Sequence, residues 1–173
     1  NPTASSTTKT LNVILGNTLT LTSAQTLTLQ GSGTAVGNFD TNSGSSFALT
    51  TGKVNIASGG KLTANASTIT LNATAGTLFT MASGGAFNSG TSSATFPIDA
   101  SVALTSGDFS GSNAFYDITI GPTVTTTRTY TLNDNTLGGH SISMIPAGAG
   151  ISATFNPGGN IVMTAGFTVG RFS

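Results

Sequence analysis

Cysteine, tryptophan and glutamate are absent from the 173 residues, and charged side chains make up only 6% of them. Without cysteine there are no disulfides, no thiol chemistry and no thiolate metal sites. The scarcity of charge excludes more. Five Lys or Arg against five Asp give a net charge near zero, with no basic run, whereas electrostatic binding to nucleic acid or to an anionic bilayer needs clustered cations. No nucleic-acid partner is expected. No stretch approaches the ~20 apolar residues of a membrane span, and no basic-then-apolar leader opens the chain. A start at Asn1-Pro2 without Met suits a processed or excerpted polypeptide. Helix has little support, because its good formers are scarce and no stripe of 3.6-residue period appears.

What fills the chain instead is 33 Thr, 21 Ser and 23 Gly. Thr is β-branched and fits a pleated surface, while Gly and Ser populate turns, so hydroxyls take the place of charges on an all-β surface. Residues 1–10 carry no apolar periodicity and read as a flexible or extended arm; residues 11–173 read as one all-β domain. Leu11, Val13 and Leu15 alternate, as do Leu19, Leu21, Leu27 and Leu29 with Thr between them, which is the period of a half-buried strand. The Gly-, Ser- and Asn-rich stretch from Gly31 to Ser46 reads as a long turn region anchored by Phe39.

One phrase recurs. Val54-Asn55-Ile56-Ala57-Ser58-Gly59-Gly60-Lys61-Leu62 returns as Phe79-Thr80-Met81-Ala82-Ser83-Gly84-Gly85-Ala86-Phe87, and a shorter version follows at Val102-Ala103-Leu104-Thr105-Ser106-Gly107-Asp108-Phe109. The repeat units span about 54–71, 79–96 and 102–120. In this alignment the third copy loses one residue at its turn, and Phe109 stands where Leu62 stands. A coil that repeats with like residues above like is the signature of a parallel β-solenoid, a stack of short strands. Short strands separated by turns every 8 to 12 residues also fit a β-sandwich or jelly roll with a donor-strand terminus. Beyond Gly121-Pro122 the pattern loosens into short strands and irregular rungs.

The Ser-Gly-Gly turns between Thr-rich strands, with Ser112-Asn113-Ala114-Phe115-Tyr116-Asp117-Ile118-Thr119-Ile120, resemble the repeats of large secreted prokaryotic surface proteins of the β-helix adhesin type. The resemblance covers about residues 45–165. It implies a surface-exposed, non-catalytic structural or adhesive protein.

Candidate chemistry is sparse. His140 is the only histidine, in a Gly138-Gly139-His140-Ser141 context that reads as a turn, and no nucleophile elbow occurs. Asp99, Asp108 and Asp117 fall nine residues apart, but they read as turn residues that satisfy backbone donors. No catalytic residue is expected. Calcium is the one cofactor the acids suit: Asp40-x-Asn42-x-Gly44 sets oxygen ligands at alternate positions before a Gly, and Asp134 sits between two Asn. Both sites lack a following acidic residue to complete them. Asn65-Ala66-Ser67 and Asn72-Ala73-Thr74 are glycosylation sequons, so glycans are a candidate partner at Asn65 and Asn72.

The apolar strands near the two ends point to assembly. Leu11, Val13 and Leu15 at one end and Phe167, Val169 and Phe172 at the other are candidate edge-strand residues, and exposed edges template pairing with another chain. The expected function is an extracellular or cell-surface structural protein that polymerises with copies of itself. The alternative is an adhesive or carbohydrate-binding module of a longer cell-surface protein.

Overall fold

The computed structural model describes residues 10–32, 35–121, 127–144, 153–157 and 159–169. Among them the only helical element is one 3-10 turn at Gly111–Asn113. The chain winds in coils of three short strands. The first coil is β1 (Thr10–Ile14), β2 (Leu19–Thr20) and β3 (Thr26–Leu29); the second is β4 (Val36–Asp40), β5 (Leu49–Thr51) and β6 (Lys53–Ile56). The third is β7 (Gly60–Thr63), β8 (Thr68–Leu71) and β9 (Thr77–Met81), and the fourth is β10 (Ala86–Asn88), β11 (Ser93–Phe96) and β12 (Val102–Phe109). Then follow β13 (Asp117–Ile120), β14 (Arg128–Met144), β15 (Ala153–Pro157) and β16 (Asn160–Val169).

Each coil returns the chain in the same direction one level along the axis, so every pairing between these strands is parallel. Three columns result. One stacks β1-β4-β7-β10. A second stacks β2-β5-β8-β11-β13, continues on the end of β14 and finishes on β16. The third stacks β3-β6-β9-β12, continues on the start of β14 and finishes on β15. This is a parallel β-solenoid; a sandwich of hairpins would pair its strands antiparallel.

Register shows why the sequence folds this way. In the second column Leu19, Leu49, Ile69, Ala94, Ile118, Ile142 and Phe167 stand in one row. Period two turns them inward, and from Leu49 to Ile142 they are buried. The next position along each strand faces outward and carries a hydroxyl at every level: Thr20, Thr50, Thr70, Thr95, Thr119, Ser143 and Thr168. No single coil can bury its apolar row, so stability comes from stacking.

The Ser-Gly-Gly phrase forms the same corner twice. Gly60 N–H donates to Ala57 O and Gly85 N–H to Ala82 O, both at 2.9 Å. Gly59 N–H also donates to Gly84 O at 2.9 Å, tying one corner to the next. Gly59 and Gly84 sit at φ of +71° and +80°, a left-handed conformation that costs glycine nothing. The core is densest where Phe79, Phe87, Phe109 and Phe115 meet. Phe109 stacks on Phe115 at 4.9 Å and meets Phe79 edge-on at 5.1 Å.

Five expectations are corrected by these columns. Gly31–Ser46 is not one long turn, because β4 runs through it and buries Phe39 over Leu62. The third repeat is not in the register its Ser-Gly suggests: Thr105, not Val102, lies beside Phe79. Ser106-Gly107 therefore falls inside β12 rather than at a turn, and Asp108 and Asp117 also lie in strands. After Gly121 the described strands are not all short, although register shifts keep the rungs irregular. β14 runs unbroken through 17 residues, spanning two columns, and Gly138-Gly139-His140-Ser141 is strand with a bulge between Gly139 and Ser141. These glycines serve close packing: a Cβ on Gly138 would lie 3.1 Å from the Ala114 Cβ.

Candidate functional site

Those of the expected edge residues that are described sit at opposite ends of the solenoid. β1 is the outermost strand of its column, and it exposes Leu11, Val13 and Ile14 by 67%, 49% and 60%. Val13 belongs to an inward row with Phe39, Leu62 and Phe87, all buried; among the described residues no strand pairs with β1 on its other side. Leu15 differs from its expected role. It lies past the end of β1, donates its N–H to Asp40 O at 2.9 Å, and packs against the core half-buried. At the other end β16 exposes Val162 and, at 49%, Phe167. Val169 pairs with Met144 in β16, while Phe172 and nearly all of the 1–10 arm lie outside the described residues. Ile14 and Val162 were not singled out from the sequence, since each breaks the local alternation.

The calcium candidates are occupied by other work. Asp40 Oδ1 accepts Asn42 N–H at 2.8 Å and Asn65 Nδ2–H at 2.7 Å. Asn42 Oδ1 accepts Gly44 N–H at 3.1 Å, and Asn42 Nδ2 donates to Leu15 O at 3.2 Å. The Asp-x-Asn-x-Gly pattern is thus an Asx-type corner. Asp134 lies elsewhere, in β14, 3% exposed. Its Oδ2 accepts the Thr105 hydroxyl, and its Oδ1 is buried without a hydrogen-bond partner among the described residues. Burial pushes its carboxyl above the usual range, against the Thr105 and Gly107 hydrogen bonds. No cluster of three or more acidic or histidine side chains occurs among the described residues.

The sequons are partly enclosed. Asn65 Nδ2, the atom glycosylation modifies, donates to Asp40 Oδ1 and, at 3.1 Å, to Thr41 Oγ1. Asn72 is half-buried, with its Oδ1 buried and without a hydrogen-bond partner among the described residues.

The topology brings together one group the sequence did not suggest. Asp117, first in β13, pairs in register with Ser141. Its Oδ1 lies 2.9 Å from His140 Nδ1 and also accepts the Ser141 hydroxyl. His140 in turn stacks face to face on Tyr116 at 4.4 Å and 7°. This is not the relay of a serine hydrolase, in which the serine hydroxyl meets the histidine and not its carboxylate partner. The pair lines a groove of about 450 Å³ whose wall includes Ser112, Thr136 and Thr164. Its components lie about 24 residues apart, so only the coil register reveals them.

The chain matches no family model, no curated protein and no solved structure.

Proposed function

We propose that this chain is a non-enzymatic, extracellular structural protein. Copies assemble end to end into a filament, sheath or surface layer by pairing β-strand edges. One observation carries the reading: β1, the outermost strand of its column among the described residues, exposes Leu11, Val13 and Ile14, and Val13 extends the inward row of Phe39, Leu62 and Phe87. Among the described residues, the second and third columns end on β2 and β3 at one side and on β16 and β15 at the other. A second copy set on that edge would continue both the hydrogen-bond ladder and the apolar rows. Such a head-to-tail contact does not close on itself and grows a filament. Full burial of an aliphatic or aromatic side chain is worth about 1.5–3 kcal/mol, so each half-exposed one contributes about 1 kcal/mol on top of the main-chain bonds. The near-zero net charge removes long-range repulsion between copies.

Sedimentation velocity and negative-stain microscopy over a concentration series test this. Wild-type protein forms elongated species, and Val13→Lys or Leu11→Lys holds it monomeric with unchanged circular dichroism. A wild-type chain that stays monomeric throughout, or Lys variants that assemble as well as it does, would overturn the reading. The Tyr116–His140 groove favours a second reading, an adhesive or glycan-binding module of a longer surface protein. That reading predicts a monomer that binds sugar through Tyr116.

A further inference from the structure

The outward row of the second column has properties that neither assembly nor folding requires. Seven levels in succession carry a hydroxyl: Thr20, Thr50, Thr70, Thr95, Thr119, Ser143 and Thr168. Beside it, two residues earlier on each strand, runs a partial second row of Thr68, Ser93, Asp117 and Ser141. Neighbouring strands lie about 4.7–4.9 Å apart and alternate residues along a strand about 6.6–6.8 Å apart. The rows therefore form a two-dimensional grid.

The hydroxyls of this grid's main row differ from those of Thr63 and Thr80 on the other two columns. On β7 and β9, Thr63 donates to Asn38 Oδ1 at 3.0 Å and Thr80 to Asn55 Oδ1 at 2.9 Å, so those faces satisfy themselves. Among the described residues, none of the seven hydroxyls in the main row bonds to a protein group; Thr20 and Thr168 are exposed, and the five between them are part-buried. Their hydrogen-bonding capacity is left for solvent or a ligand. A hydroxyl offers one donor and two acceptor sites, much as water does, and a β-branched Thr holds few χ1 rotamers, so the donors are pre-ordered. β2, β5, β8, β11 and β13 carry one charged residue, Asp117, already engaged by His140 and Ser141. They carry no Lys, Arg or Tyr, and the one aromatic, Phe96, faces the core.

A neutral grid of pre-ordered hydroxyls suits a ligand that is itself a neutral lattice with matching repeats. We propose that this face binds ice. The prism faces of hexagonal ice repeat at closely similar intervals in two directions, and every water there is both donor and acceptor. A crystalline polysaccharide is disfavoured because the face lacks aromatic platforms for sugar rings. Each hydroxyl binds weakly; many engaging one rigid lattice together give avidity. The inference goes beyond end-to-end assembly and does not depend on it, since the row lies on the side of the solenoid.

The test is partition of fluorescently labelled protein into a slowly growing ice hemisphere, with thermal hysteresis measured on the same sample. Wild-type protein enters the ice and halts crystal growth. The pair Thr70→Lys with Thr95→Lys lowers hysteresis about tenfold or more and excludes the protein from ice, at an unchanged circular dichroism spectrum. Thr28→Lys, exposed on the third column, retains both activities. Wild-type protein excluded from ice overturns the proposal whatever the variants do, and so does a double variant that keeps full hysteresis. Exclusion from ice combined with ladder-dependent binding to crystalline cellulose or chitin would instead assign the face to a polysaccharide.

Discussion

Replacing Phe109 by Ala probes the point where the sequence-based register and the structure disagree. Aligned by its Ser-Gly, Phe109 would simply take the place of Leu62 in the third repeat. In the structure it is fully buried and joins a four-ring cluster, stacked on Phe115 at 4.9 Å and edge-on to Phe79 at 5.1 Å and Phe87 at 6.3 Å. Truncating a buried Phe to Ala costs about 3–5 kcal/mol from lost transfer energy and the cavity left behind. Three ring partners put this site at the upper end, because each aromatic pair adds about 0.5–1.5 kcal/mol beyond area and the effects are not additive. For a chain of this length 1 kcal/mol moves Tm by about 2–4 °C, so calorimetry should show a fall of about 6–20 °C. Phe109→Leu, which refills most of the volume, should recover more than half of it. The cluster joins successive levels, so the Ala variant should also broaden the transition, as a stack weakened at one interface loses cooperativity. A loss below about 1 kcal/mol, the range of a partly exposed site, would refute the four-ring cluster and the register that builds it.

Two further outcomes follow from buried polar groups. Asp134 has its carboxyl raised by burial, so its protonated form favours the fold; that contribution is complete below the ordinary carboxylate range and is lost as pH rises through the folded value. Asp134→Asn keeps an acceptor for Thr105 and removes the titration. It should stabilise the protein at pH 7 relative to pH 4 in paired urea melts, and an equal effect at both pH values would contradict the assignment. Tyr130 is fully buried and donates to Ile98 O at 2.8 Å; burial first, then the Asp99 charge, pushes its pKa up to about 12, with Arg128 opposing. Tyr130→Phe should cost about 1–3 kcal/mol by stranding that carbonyl and should abolish the phenolate step near pH 12 in an ultraviolet titration.

The all-β class was legible because Thr alternates with Leu and Ile, and the solenoid because the repeated phrase sets Val54 and Phe79 one coil apart, where they pair in register. What escaped was set by neighbours in space. β4 has Val36 and Phe39 three residues apart, off the two-residue period, and it becomes a strand because β1 and β7 flank it on both sides. Gly138-Gly139 looks like a turn, but it is a strand whose glycines admit Ala114 and Met163 at close range. The hydroxyl row was hidden by uneven coils. Its members are separated by 30, 20, 25, 24, 24 and 25 residues, so no fixed offset reveals them. The Tyr116–His140–Asp117 group was missed for a similar reason, because its parts meet only when β13 and β14 stack.

Fibre diffraction from aligned, assembled protein tests the central claim most directly. If copies stack end to end and continue the strand columns, strands lie across the fibre axis and the pattern carries a meridional reflection at about 4.7–4.8 Å. Assemblies whose strand spacing falls on the equator, or concentrated protein that yields no ordered assembly, would contradict the account.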